Sequence, residues 1–308
     1  MATRFTAPEE VFRSGVLFNA THGIDADPDA KYLELIMSKV DSRQAYERIT
    51  QRFGFGLFQR RNIGQSSPIQ EEKVVTKTVR SGRFALGYEI DINALRRDPN
   101  KIVAGKSPLL RASYIHSLNA QAQLAYLKCG ASSAPLTSMI DGLAIYSTAH
   151  TQRNGNTSSN KKSYAVTGAS FLQVVGDLNS QLNYEGLPVS NVEEWDVLCD
   201  PTKIGQVQTI LESELFAGTS NNDTNSVIKR SFRAAKPMKY WQLGGSTTTN
   251  TCMFVPTKAS ERPVFLMMTE ELCMEDEKAA SVGKHGFYAW YESVFESLTH
   301  YNTLMINT

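Results

Sequence analysis

The run Lys73-Val-Val-Thr-Lys-Thr-Val-Arg80, then Ser81-Gly82, then Arg83-Phe-Ala-Leu-Gly-Tyr-Glu-Ile-Asp91 constrains this chain more than any other stretch. Phe84, Leu86, Tyr88 and Ile90 alternate with Ala85, Gly87, Glu89 and Asp91, and a period of two marks a half-buried strand. With Gly82 supplying a positive φ at the turn, residues 73–91 read as a long β-hairpin. A two-stranded hairpin is marginal alone, because it has too little to pack against. Its apolar face, Phe84, Leu86 and Tyr88, therefore needs cover from elsewhere. Its polar side carries Lys73, Lys77, Arg80 and Arg83, with Arg60 and Arg61 nearby. On an isolated domain these charges form a solvated face.

The second constraint is a long helix. Ser107 is a good N-cap and Pro108 suits the first helical position. The helix is expected over 107–129, with Gly130 as a left-handed stop. Leu110, Ile115, Leu118, Ala122, Ala125 and Leu127 supply its apolar stripe. At ~1.5 Å per residue it spans on the order of 33 Å, which suits a flat or elongated molecule. Elsewhere the chain mixes elements. Short helices are expected over 30–38 and 43–52. A further helix carries Phe171, Val174, Val175, Leu178 and Leu182, with Gly186 beyond its end. Another is capped by Asp200, opened by Pro201, and fed directly by a strand over 195–199. Short strands are expected over 227–232, 238–243, 251–256, 264–268, 286–296 and 303–306. Helices and strands interleave throughout, so the class is α+β.

Composition narrows the function. The chain has 308 residues, which allows one large or two intertwined domains. Lysine plus arginine is 32 against 31 for aspartate plus glutamate, a balance that disfavours a dedicated nucleic-acid binder. No run approaches the ~20 apolar residues of a membrane span, and residues 1–10 hold no signal-peptide stretch, so a cytosolic origin is expected. Cys129, Cys199, Cys252 and Cys273 make no Cys-x-x-Cys pair, and the first three read as buried free thiols.

No enzyme signature emerges. Ser147 and His150 lie close, with Asp141 near, but the Gly-x-Ser-x-Gly elbow of a nucleophilic serine is absent. His22, His116, His285 and His300 are scattered without metal-ligand spacing. Gly54-Phe-Gly56 lacks the third glycine of a phosphate loop. Glu270, Glu271, Glu275, Asp276 and Glu277 read as a solvated acidic turn. No catalytic residue, cofactor or metal is called for.

The run Asp141-Gly-Leu-Ala-Ile-Tyr-Ser-Thr-Ala-His150 resembles a segment of the major head proteins of tailed bacteriophages, especially the Mu-like head subunits, where Asp-Gly-x-x-Leu-Phe-Ser-x-x-His precedes a Gly/Asn-rich loop. Glu185-Gly-Leu-Pro188, Asp200-Pro201, Ile210-Leu-Glu-Ser-Glu-Leu215 and Ala217-Gly-Thr-Ser-Asn-Asn222 follow in the same order. The likeness is best over residues 135–245 and departs at Cys199-Asp200, where those relatives often carry two prolines. The resemblance implies the Hong Kong 97 capsid fold: an N-terminal arm over 1–49, an extended hairpin loop over 50–92, a peripheral domain with its spine helix over 93–140, an axial domain over 141–263, and C-terminal strands of the peripheral domain over 264–308.

It further implies a non-enzymatic subunit that tiles an icosahedral shell as pentamers and hexamers around packaged double-stranded DNA, assembled in a bacterial host's cytoplasm and resident in the virion. The implied partners are other copies of the chain, a portal, and scaffold or cement proteins; no membrane is involved. Arg60, Arg61, Lys73, Lys77, Arg80, Arg83, Phe84, Leu86 and Tyr88 are the expected intersubunit contacts. Some relatives crosslink a lysine to an asparagine between subunits; no partner for Lys73 or Lys77 can be assigned, and no crosslink is expected. The short arm leaves little room for a long cleaved scaffolding segment. Two alternatives stand: an encapsulin-like compartment holding cargo enzymes, and a cytosolic hydrolase using Ser147 and His150.

Overall fold

The computed structural model describes residues 16–18, 20–21, 28–42, 44, 46–53, 73–97, 99–130, 135–189, 192–213, 226–239, 251–277 and 283–307. The expected Arg60 and Arg61 contacts lie outside these residues, as do most of the 238–243 strand and the 217–222 loop.

The elements in chain order are α1 (Pro28–Ile36), β1 (Ser38–Asp41), β2 (Tyr46–Phe53), β3 (Lys73–Arg80), β4 (Gly82–Asp91), α2 (Ile92–Arg97), α3 (Pro99–Cys129), β5 (His150–Thr151), β6 (Thr157–Ser158), β7 (Lys161–Lys162), α4 (Gly168–Asn179), β8 (Trp195–Cys199), α5 (Ile204–Glu212), α6 (Ser226–Ser231), β9 (Phe232–Pro237), β10 (Cys252–Pro256), β11 (Val264–Glu277), β12 (Lys284–Ser297) and β13 (Leu304–Ile306). Two sheets organise them. The first runs β1-β11-β12-β4 and the second β7-β13-β10-β8-β9. The mixture is α+β.

The expected 73–91 hairpin is not formed. β3 pairs antiparallel with β2, from Tyr46 opposite Arg80 to Phe53 opposite Lys73. β4 instead pairs with β12, from Gly82 opposite Ser293 to Asp91 opposite Lys284. A two-residue hairpin turn needs residues at positive φ. Gly82 is not among the glycines that adopt it, so the chain runs on past Ser81 and each strand finds a partner distant in sequence. The expected helix over 43–52 is likewise corrected. Tyr46-Glu-Arg-Ile-Thr-Gln-Arg alternates exposed and half-buried, the strand period, and the β3 partner satisfies its backbone.

The long helix is longer than expected. α3 covers 31 residues, about 46 Å, and Pro108 lies inside it rather than at its start. Ser107 is buried inside the helix, which begins at Pro99, and so does not stand at the N-cap position. Leu110, Ile115, Leu118, Ala122 and Ala125 are buried as the stripe predicts, against Leu266, Met268, Phe287 and Tyr291 of the first sheet. Gly130 does not take a left-handed conformation. A Cβ there would sit 2.8 Å from Met305 Sδ, so the flexible end of that side chain would have to shift to admit one.

The second sheet buries Val197, Cys199, Cys252, Phe254, Leu304 and Ile306 under α4 and α5. α4 starts at Thr167, whose hydroxyl accepts from Ser170 N at 3.2 Å. Asp200 Oδ1 accepts from Thr202 N at 2.8 Å and opens the turn leading into α5, as the Asp-Pro pair predicts. The strand expected over 227–232 is mostly helix α6, and β9 begins only at Phe232. The opposite face of the second sheet, through Leu198, Met253 and Met305, joins the core under α3. Cys129, Cys199 and Cys252 are buried free thiols.

Candidate functional site

The β2–β3 ribbon belongs to neither sheet, and alternation decides which way its side chains point. Lys73, Val75, Lys77 and Val79 turn toward the chain's own body; Val74, Thr76, Thr78 and Arg80 turn away. At the foot of the ribbon, Val79 packs on Phe265 and Met267, with Ile49 beside it. These β11 residues face opposite to Leu266 and Met268, so one strand serves two cores. Lys77 Nζ lies 2.7 Å from Glu296 Oε1, with both side chains largely covered. Lys73 Nζ donates to the Ile140 carbonyl at 2.9 Å and sits 4.1 Å from the centroid of the Tyr184 ring. Lys73 and Lys77 are therefore fasteners of the ribbon to its own chain, not part of an outward polar face. The side-chain period of two puts them on the same face as Val75 and Val79, opposite to Arg80.

The outward face of the ribbon consists of Tyr46, Arg48, Thr50 and Arg52 on β2, opposite Arg80, Thr78, Thr76 and Val74 on β3. All eight are exposed, three are arginines, and none is acidic. The Thr50 and Thr76 hydroxyls meet at 3.3 Å, and the Arg80 guanidinium lies 5.2 Å from the Tyr46 ring. Of the expected contact residues that are described, only Arg80 sits on this face. Arg48, Arg52 and Tyr46 were not expected there because residues 43–52 read as a helix, although the alternation Tyr46, Arg48, Thr50, Arg52 is visible in the sequence.

Arg83, Phe84, Leu86 and Tyr88 lie on β4, the open edge of the first sheet. Arg83 pairs with Glu292 at 2.9 Å and covers the Trp290 ring at 3.9 Å. Phe84 stacks on Tyr291, with ring centroids 5.3 Å apart, and Tyr114 of α3 meets the same ring edge-on at 5.0 Å. Tyr88 lies beside Phe287, and burial pushes its phenol well above the usual range. Their apolar face is covered in part by the chain's own β12 and α3. Phe84 remains 38% and Leu86 49% exposed, beside an open groove of about 420 Å³ floored by Leu110, Tyr114, Leu272 and Tyr291. The acidic residues 270–277, expected in a turn, continue strand β11 instead; Glu275 accepts from Trp290 Nε1 at 3.1 Å and from the Tyr288 hydroxyl.

The Ser147–His150 pair is not a nucleophile and base here. His150 is buried; its Nδ1 lies 2.7 Å from Asp141 Oδ2 and its Nε2 lies 3.0 Å from the Ile145 carbonyl. Both nitrogens are thus engaged away from Ser147, whose Oγ accepts from Ala149 N at 3.3 Å. The unexpected member of this cluster is His300, whose ring stacks on that of His150 at 3.6 Å and 1°. Its 150-residue separation in sequence hides that meeting. No helix among the described residues is long and apolar enough to cross a membrane.

No family model and no curated protein matches the chain. Solved structures do match it, along most of its length. The capsid of a native GTA particle aligns with a TM-score of 0.56 and 10% identity over 91% of this chain and 90% of that one. The capsid of cyanophage P-SCSP1u gives 0.53 and 11% over 88% and 85%. The capsid of Myoviridae phage XM1 gives 0.52 and 9% over 90% and 91%. With its long helix beneath one sheet, its second helix-covered sheet and its separate ribbon, the chain has the α+β fold of the Hong Kong 97 type capsid proteins.

Proposed function

We propose that this chain is the major shell subunit of a tailed-phage-like particle, assembling as pentamers and hexamers into a closed icosahedral head around double-stranded DNA. The observation that carries the reading is the capsid fold along about nine-tenths of the chain, together with a ribbon that leaves one whole face unpacked. Portal, scaffold or cement proteins and a virion location follow from that role. The segment Asp141–His150 supports placing the chain nearest the Mu-like head subunits. In this reading the division into arm, extended loop, peripheral and axial domains is kept with these changes: the ribbon takes in Tyr46–Phe53, β1 and β4 join the β11–β12 sheet, and β13 joins the sheet of β8 and β10.

The contact surface in this reading is the outward ribbon face, with Arg48, Arg52 and Arg80, and the exposed Phe84 and Leu86 at the β4 edge. Charge complementarity with acidic groups of a neighbour orients the docking. Apolar contact adds about 25 cal/mol per Å² buried. Expression of the full chain, followed by electron microscopy and extraction of the particle contents, tests the proposal. Shells containing or accepting DNA support it. Shells that co-purify a stoichiometric enzyme assign the same fold to a cargo compartment instead.

A further inference from the structure

Among the described residues, three segments pass between the two sheets: residues 135–160, 257–263 and 298–303. The first and third meet at the stacked imidazoles, because His150 belongs to one crossing and His300 to the other. The surrounding bonds tie the same two segments. Asn160 Nδ2 donates to the Ile145 carbonyl at 2.8 Å and to the His300 carbonyl at 3.0 Å. The Tyr146 and Thr303 hydroxyls meet at 2.8 Å, and Ser138 Oγ lies 3.0 Å from His300 Nδ1.

The donor set Asp141, His150 and His300 brings one ligand atom from each within 4.8 Å of the others. Parallel rings at 3.6 Å, however, cannot both aim an in-plane lone pair at one ion about 2.1 Å from each nitrogen. The arrangement suits protons better. His150 faces two acceptors, a carboxylate and a carbonyl, and makes both bonds together only as the imidazolium. A second proton on His300 would then stack two cations. We infer that the His150–His300 stack is an acid-released latch holding two of the three crossings between the sheets together, and that protonation of His300 frees the segments 138–150 and 298–306 from each other.

The groups facing His300 are His150 above its ring, Asp141 beyond His150, Ser138 at Nδ1 and the Tyr301 ring at 4.5 Å. Burial, and then the His150 charge, pull His300 down to about 3, against a smaller opposing pull from Asp141. Burial alone would raise the Asp141 carboxyl, but the hydrogen bond and charge of His150 outweigh it and hold it below its ordinary value. Because His300 is depressed in the closed cluster, its contribution is complete above the open-state value near 6.5 and is lost as pH falls toward 3. At pH 4.5 opening is favoured roughly 100-fold over its level at neutral pH.

Hydrogen exchange on the full chain, held in one assembly state and corrected for intrinsic rates, tests the latch. Between pH 7.5 and 4.5, peptides covering 138–150 and 298–306 are expected to lose up to roughly 100-fold of their protection, while those in the buried stretch of α3 keep theirs. His300→Phe keeps a stacked ring that cannot titrate, and is expected to abolish this acid dependence. If that variant does not fold, His300→Gln serves the same purpose. Unchanged protection in the unsubstituted chain, or acid dependence surviving in the variants, overturns the inference. So does Zn²⁺ protecting both segments at pH 7.5 in the unsubstituted chain but not in the variants, which would make the cluster a metal site.

Discussion

Asp196 and Lys236 place a full ion pair inside the molecule, which works only because each charge is answered. Lys236 Nζ lies 2.5 Å from Asp196 Oδ2 and donates to the Leu35 carbonyl at 2.8 Å, tying β9 to the end of α1. Burial lowers the Lys236 ammonium, and Asp196 offsets only part of that. Asp196→Ala leaves the cation without its counter-charge and is expected to cost about 3–5 kcal/mol in urea unfolding. An apolar double variant, Asp196→Leu with Lys236→Met, is expected to recover most of the loss, since the desolvation cost disappears with the charges. A double variant as weak as Asp196→Ala would contradict this reading. The thiols offer a second residue-scale check. Burial pushes Cys199 up to about 12 and Cys129 and Cys252 higher still, whereas Cys273 is only partly covered. Burial and the nearby Glu270 and Glu275 carboxylates raise the Cys273 thiol as well, so one thiol is expected to react with iodoacetamide in the folded chain, slowly at pH 7.5, and three only on unfolding. Three or four thiols reacting before unfolding would show that the second sheet is not closed as described.

At the scale of elements, local pattern was readable and pairing was not. The strand over 83–91, the stripe along α3 and the Asp200-Pro201 start each depend on neighbours within a few residues, and each appears in the structure, although the strand's burial alternates only from Tyr88 to Asp91. The partner of β3 depends on whether the chain reverses at Ser81-Gly82, a matter of one backbone angle that composition does not dictate. Grouping Lys73 and Lys77 with Arg80 on one polar face ignored their opposite parity along β3, and reading 43–52 as a helix hid Arg48 and Arg52. Gly130 failed differently: it is not the expected left-handed stop, and a Cβ there would instead meet the flexible end of Met305, 175 positions away. Since that thioether can shift, Gly130→Ala is expected to change stability by less than about 1 kcal/mol. A much larger loss in thermal unfolding would show that Met305 cannot yield. Arg48→Glu with Arg52→Glu changes only outward charges, so unfolding is expected to move by less than about 0.5 kcal/mol. Shell yield is expected to fall, and to fall further at low salt than at high salt, because screening weakens the reversed charges. Normal assembly of this variant at low salt would remove the ribbon face from the contact.

For the whole molecule, the two sheets share one junction beneath α3, while the ribbon stands outside it, held by Val79, Lys77 and Lys73. In the proposed reading, folding and association are therefore expected to be separable, because the core does not need the outward ribbon face. The measurement that tests this account most directly is electron microscopy of the purified full chain beside sedimentation across a range of salt and concentration. The account predicts closed shells, or rings of five and six that build them. A stable monomer under every condition, with the fold intact by circular dichroism, would contradict it.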